Sequence, residues 1–176
     1  MVWTRTSKTK EPENLEKAYD YAVFLLSLQL RSVGEIREKM DKRGYSPAII
    51  EEILNRLRDQ KYLDDARYAE IFLDNLKQYK NLGYFGIKKK FMMKKLPNDL
   101  IEKVLADGLS LEDELKIAKR FLKKEGVAVK SSANEEEISD NTYSTYNESQ
   151  STQKQKLAQK LRARGFRGDV IARLVF

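Results

Sequence analysis

The sequence predicts an all-α protein, built from three tandem three-helix repeats that form an elongated, curved helical array. Three observations predict this class. Only 3 Pro and 8 Gly occur in 176 residues, so long stretches are free of helix breakers. Apolar residues recur at three- and four-residue spacing along most of the chain. The same apolar pattern occurs three times, as in arrays whose small units bury each other's faces.

The repeat divides the chain into a tail at residues 1–13 and three copies, at 14–63, 64–109 and 110–176. The third copy contains a segment, residues 127–153, that is rich in Ser, Asn, Glu, Thr and Gln and poor in large aliphatic residues. This composition predicts a disordered linker between the first and second helices of that copy.

Capping signals place the helices of copy one. Ser32 and Glu35 have the spacing of a capping box, and Gly44 is the residue expected after the helix that they begin. Ser46 followed by Pro47 predicts the start of the next helix. The other helices are expected at residues 14–30, 64–79, 86–95, 98–106, 110–126, 154–164 and 168–176.

The repeat itself rests on seven apolar positions that align without a gap in all three copies. In copy one they are Ile36, Met40, Tyr45, Ile49, Ile50, Ile53 and Leu54. They recur 51 residues later as Ile87, Phe91, Leu96, Leu100, Ile101, Val104 and Leu105. They recur 70 residues after that as Leu157, Leu161, Phe166, Val170, Ile171, Leu174 and Val175. Arg43 and Gly44 match Arg164 and Gly165, whereas copy two has Lys94-Lys95 there.

Composition excludes several kinds of chemistry. The chain has no Cys and no His, which excludes zinc sites, iron–sulfur clusters, disulfides, thiol nucleophiles and imidazole triads. The segment Gly83-Tyr84-Phe85-Gly86 lacks the Gly-Lys-Ser/Thr ending of a phosphate-binding loop. We therefore expect no metal, no cofactor and no enzymatic activity. The first residues lack the apolar core of a signal peptide, which predicts a cytoplasmic protein that does not enter a membrane.

Positive charge is concentrated in two runs that contain no acid. The chain has 34 Lys+Arg and 27 Asp+Glu, a net charge of +7. The runs lie in the second helices of copies two and three, where we expect contact with an acidic partner. The candidate contact residues are Lys77, Lys80, Lys88, Lys89, Lys90, Lys94, Lys95, Lys156, Lys160, Arg162, Arg164 and Arg167.

Charge alone leaves the partner open. A solvated face that only favours solubility, a nucleic acid and an acidic protein surface all fit these runs. A DNA-binding module of helix-turn-helix type fits the short helical units, although no helix pairs its basic run with the Asn, Gln and Arg pattern of base readout. A helical-repeat adaptor for another acidic protein is the remaining alternative.

A family resemblance narrows these choices. Its most specific carrier is the run from Tyr62 through Ala69, together with the turn Arg43-Gly44-Tyr45 and the apolar helix that follows it. The signature residues are Arg43, Gly44, Tyr45, Leu63, Asp64, Asp65, Arg67, Tyr68 and Ala69. Most of them suit structural roles, and Asp64-Asp65 is best interpreted as an N-cap with a favourable charge at a helix start.

In these residues and in its repeat layout, the chain resembles the RecX family of recombinase regulators. The resemblance covers nearly the whole chain apart from the first dozen residues and the 127–153 linker. It implies a protein of DNA repair, homologous recombination and the SOS response, and we expect this protein to be a monomer. Such a protein binds the RecA–DNA filament and damps strand exchange, ATP hydrolysis and co-protease activity. Single- or double-stranded DNA is a further expected partner.

Overall fold

The computed structural model of the chain describes residues 8–125 and 143–175, and these residues are almost entirely helical. Their elements are α1 (Leu15–Leu28), α2 (Val33–Arg43), α3 (Pro47–Asp59), α4 (Asp65–Tyr79), α5 (Tyr84–Met93), α6 (Asn98–Gly108), α7 (Leu111–Lys124), α8 (Tyr143–Ala163) and α9 (Gly168–Val175). No strand occurs among the described residues, which confirms the predicted all-α class.

The helices form two compact units. Unit 1 comprises Met1–Phe72 and Lys90–Val104, and unit 2 comprises Leu73–Lys89 and Leu105–Phe176. The division passes through α4, α5 and α6, so each unit contains helices from more than one predicted repeat. The three repeat boundaries and the curved shape of the array stay predictions.

The capping signals of copy one produce the expected hydrogen bonds. The Glu35 amide donates to the Ser32 hydroxyl at 3.1 Å, and the Ser32 amide donates to the Glu35 carboxylate at 3.3 Å. Gly44 ends α2 in the left-handed region with φ of 91°. The Ser46 hydroxyl accepts from the Ile49 amide at 3.5 Å at the start of α3. These helix ends are predictable because each signal is local.

The seven repeated apolar positions face the interior in every copy. Of the 21 residues, 17 are buried, and the other four are partly buried. These four are Leu100, Val104, Leu157 and Leu174. In unit 1 the copy-one residues pack with Ala18, Tyr21, Ala22, Leu25 and Leu57 in one apolar cluster. Burial of each large aliphatic side chain contributes about 1.5–3 kcal/mol, so the repeated pattern is the main source of core stability.

Two helices begin earlier than the sequence predicts. Helix α5 starts at Tyr84 rather than Gly86, because its first amides are satisfied by groups distant in sequence. It ends at Met93 rather than Lys95. Helix α8 starts at Tyr143, within the segment predicted as a linker. No Gly or Pro interrupts the chain between Tyr143 and Ala163, so the helix extends from its packed end. The rest of the predicted linker, residues 127–142, lies outside the described residues.

The turns between the second and third helices share one backbone conformation. Gly44, Lys95 and Gly165 occupy equivalent repeat positions, and their φ angles are 91°, 59° and 79°. Copy two therefore keeps the left-handed turn although a lysine replaces the glycine. None of the helices within 8–125 and 143–175 has the length and apolar character of a membrane span.

Candidate partner-contact site

The structure divides the twelve candidate contact cations by what their side chains touch. Ion pairs with carboxylates hold Lys77, Lys94, Lys160 and Arg167. Six others are exposed and form no ion pair within the described part of the chain: Lys80, Lys89, Lys90, Lys95, Lys156 and Arg162. Lys88 is partly buried, and the exposed Arg164 lies over the Phe121 ring at 5.0 Å from its centroid.

Lys77 joins three helices of unit 2. Its ammonium donates to the carbonyl of Gly108 at 2.8 Å and to the carboxylate of Asp113 at 3.0 Å. Partial burial alone would raise the pKa of Asp113, but hydrogen bonds from Lys77 and Ser110 outweigh it and lower the pKa below its ordinary value. Lys77 therefore has a structural role, because its ammonium links the end of α6 to the start of α7.

Glu114 is the centre of a second polar group in unit 2. It is fully buried on α7, and its Oε1 accepts from the amides of Tyr84 at 3.0 Å and Arg167 at 2.9 Å. Its Oε2 accepts from the Arg167 guanidinium at 2.5 Å. One carboxylate thus fixes the start of α5 and the approach to α9. Arg167 also lies over the Tyr84 ring, with its Cζ 5.3 Å from the centroid.

The backbone turn that ends α8 completes this junction. The amide of Gly83 donates to the carbonyl of Arg164 at 3.1 Å, and the amide of Phe85 donates to the carbonyl of Gly165 at 2.8 Å. A Cβ atom at Gly83 would lie 2.2 Å from the Cα of Phe166. Only glycine permits so close an approach, which holds the basic helices α5 and α8 together within unit 2.

Unit 1 holds a matching junction between the start of α2 and the turn that ends α5. The Ser32 hydroxyl donates to the carbonyl of Lys94, and the Lys94 ammonium pairs with Glu35 at 2.9 Å. The Val33 amide donates to the Asp65 carboxylate at 2.8 Å. Burial raises the pKa of Asp65, although the Val33 amide opposes that shift.

The family-signature residues support this frame. Asp64 caps α4 by accepting from the Arg67 amide at 3.0 Å, as the sequence predicts. Leu63 and Ala69 are buried, and the hydroxyl of the buried Tyr68 donates to Glu35 at 3.4 Å. Burial raises the pKa of Tyr68 far above its ordinary value, so Tyr68 stays protonated and keeps this bond.

The six exposed cations are the residues that remain available to a partner. On and just after α5 these are Lys89, Lys90 and Lys95, and the exposed apolar side chains of Met92 and Met93 lie along the same stretch of chain. Lys156 and Arg162 lie on α8, and Lys80 directly follows the end of α4. Exposed ammonium and guanidinium groups beside apolar surface suit a large acidic surface.

Sequence reasoning missed two residues that build the site. Glu114 lies on the buried stripe of α7 with Ile117, Ala118, Phe121 and Leu122. An acid at an apolar position of a helix was the available signal. No sequence signal marks the second residue, Arg120. Its guanidinium donates to the carbonyls of Lys77, Gln78 and Lys80 at 2.7–2.8 Å and to the Asn81 side chain at 2.9 Å. These bonds satisfy the end of α4, which the sequence does not bring near α7.

Comparison with known proteins gives consistent results. The family model described as "RecX, first three-helix domain" matches residues 18–57. The chain is 30% identical over 114 residues to "Regulatory protein RecX" of Bacillus pumilus, covering 63% of this chain and 43% of that protein. It is 28% identical over 159 residues to the protein of the same name from Halalkalibacterium halodurans, covering 90% and 53%. For that of Leuconostoc mesenteroides the identity is 29% over 164 residues, covering 93% and 55%.

Solved structures share the fold. The crystal structure of RecX from Lactobacillus salivarius superposes with a TM-score of 0.71 at 24% identity, over 92% of this chain and 94% of that one. A second structure, of "regulatory protein RecX", gives 0.72 at 23% identity, over 91% and 72%. The chain is therefore similar to RecX proteins, in sequence over its first three-helix domain and in fold over most of its length. The predicted resemblance is confirmed, and the matched first RecX domain lies within α1–α3.

The three curated RecX relatives are longer than this chain. It spans about half the length of the curated relatives that it matches, between 43% and 55% in the three cases given. Those relatives are named regulatory proteins. The assignment of individual contact residues to a partner is a prediction that the comparisons leave untested.

Proposed function

We propose that this chain binds the RecA–DNA filament and damps its strand exchange, ATP hydrolysis and co-protease activity. The observation that carries the proposal is the division among the candidate cations. Four are bound to carboxylates within the fold, and six are exposed on or beside the helices in which the acid-free runs lie. The family name of the relatives supports RecA as the partner.

The mechanism that fits this division is multivalent binding. Each exposed cation contributes a weak, salt-sensitive contact, because solvent-exposed charges are screened within about 8–10 Å at physiological salt. Several such contacts on one chain raise the effective concentration of each next contact along a polymeric partner. The protein acts as a monomer in the cytoplasm and by binding rather than by catalysis.

The experiment that tests the proposal is a titration of RecA with single-stranded DNA, followed by the rate of ATP hydrolysis. We expect the rate to fall with added protein and the effect to weaken as salt is raised. An unchanged rate at saturating protein would remove the proposal. Binding to DNA in the absence of RecA, with no effect on ATP hydrolysis, would favour the DNA-binding alternative.

A further inference from the structure

The three left-handed turns each offer a backbone carbonyl to a donor from another segment. In unit 2 the carbonyl of Arg164 accepts from the Gly83 amide at 3.1 Å. In unit 1 the carbonyl of Lys94 accepts from the Ser32 hydroxyl. Ser32 and Gly83 lie at equivalent repeat positions, each just before a second helix. In both cases, therefore, the residue that precedes the second helix of one copy donates a hydrogen bond to the turn of the following copy.

Copy one has the same kind of turn, at Arg43–Ser46, and a different segment occupies it. The amide of Thr9 donates to the carbonyl of Arg43 at 2.7 Å. Arg43 is the repeat equivalent of Lys94 and Arg164. Residues 8–13 come from the segment predicted as a tail, and they provide the donor that a preceding helix start provides elsewhere.

The same segment also provides the acceptor that this turn needs. The Ser46 amide donates to the carbonyl of Pro12 at 3.2 Å, and the Ser46 hydroxyl donates to the Glu13 carboxylate at 2.8 Å. The equivalent amide in copy three, that of Arg167, donates to Glu114. In copy two the equivalent residue is Pro97, which has no amide proton.

We propose that residues 8–13 are a cap, which occupies on copy one the docking surface that the start of a second helix occupies on copies two and three. The docking surface is the turn Arg43–Ser46, and its occupant is the chain's own segment. The cap works through main-chain groups, since its decisive bonds use the Thr9 amide and the Pro12 carbonyl. The cap closes this surface, and an open stacking surface would invite association with another chain. This role is independent of RecA binding.

Amide hydrogen exchange of Ser46 in the full chain tests the cap. The variant T9P removes the Thr9 N–H, and T9V is the matched control because it loses the hydroxyl and keeps the N–H. We expect T9P to speed exchange of the Ser46 amide about fivefold, as expected for a bond worth about 1 kcal/mol, and T9V to leave it within about twofold. Unchanged exchange in T9P, or equal acceleration in T9V, would overturn the proposal.

A second variant covers the case in which proline at position 9 disturbs the chain more widely. A chain lacking residues 1–10 removes the donor without introducing a proline. Exchange at Ser46 should rise as in T9P, while the amides of unit 2 keep their wild-type rates. Exchange that rises throughout unit 2, or that stays slow at Ser46, would contradict a local cap.

Discussion

The junctions of the two units use one backbone frame and differ in their electrostatics. In unit 1 the amide of Val33 donates to Asp65, and in unit 2 the amide of Tyr84 donates to Glu114. The two carboxylates occupy equivalent positions of the first helices, since Asp65 and Glu114 keep the 49-residue spacing that aligns Ala69 with Ala118. Only Glu114 is fully buried and paired with an arginine.

The neighbouring residues explain the difference. Glu114 accepts from the Arg167 amide and guanidinium as well as from Tyr84. The residue of copy two equivalent to Arg167 is Pro97, which presents neither an amide proton nor a charge. A shorter, half-buried aspartate then suffices. One repeat position thus holds a buried ion pair in one unit and a single hydrogen bond in the other.

The largest expected effect separates the two carboxylates. The variant E114Q leaves the partly buried Arg167 guanidinium without its counter-charge, and should lower the free energy of unfolding by about 2–3 kcal/mol. The matched variant D65N keeps an oxygen acceptor for Val33 and should change it by less than about 1 kcal/mol. Chemical denaturation measures both. Equal losses would show that the junctions do not differ as described.

The next effect concerns the left-handed turns. The variant G165A forces a side chain into φ of 79° and brings its Cβ within 2.2 Å of the Gly86 amide nitrogen. It should destabilise the protein by about 2–3 kcal/mol. At the equivalent position, K95G relieves a lysine at φ of 59° and should stabilise it by about 0.5–1 kcal/mol. Thermal unfolding measures both changes in stability. If G165A stabilised the protein, Gly165 would not hold the left-handed turn that we describe.

The smallest expected effect is a pH dependence specific to unit 1. Burial raises the native pKa of Asp65 above the unfolded value, so the native state gains a proton at higher pH than the unfolded state. The native state is therefore favoured as pH falls through this raised pKa, and the contribution is lost as pH rises above it. The difference in unfolding free energy between wild type and D65N should grow in favour of wild type from pH 7 towards pH 4. A pH-independent difference would contradict the assignment.

Local signals made most of the fold predictable. The boxes at Ser32 and Ser110, the cap at Asp64 and the turn at Gly44 all act within a few residues of themselves. The apolar positions were predictable because burial imposes the helical period. The start of α5 was not, since its amides bond to Arg164, Gly165 and Glu114, which are distant in sequence.

The candidate site was only partly predictable for a related reason. Charge counting found the acid-free runs but could not separate Lys77, Lys94 and Arg167, which are bound within the fold, from exposed cations such as Lys89 and Lys156. That separation depends on which acids the fold brings near each cation. The left-handed backbone conformation of Lys95 could not be predicted either, because lysine has no local preference for that conformation.

The most direct test of the account compares two triple charge reversals within unit 2 by their equilibrium binding to RecA–single-stranded DNA filaments. The variant K89E/K156E/R162E removes exposed cations of the predicted contact set, and K116E/K119E/K123E removes three exposed lysines of α7 with the same change of net charge. We predict that the first weakens binding at least about tenfold and flattens its salt dependence, while the second changes it by less than about threefold. Equal losses in the two variants would contradict the account.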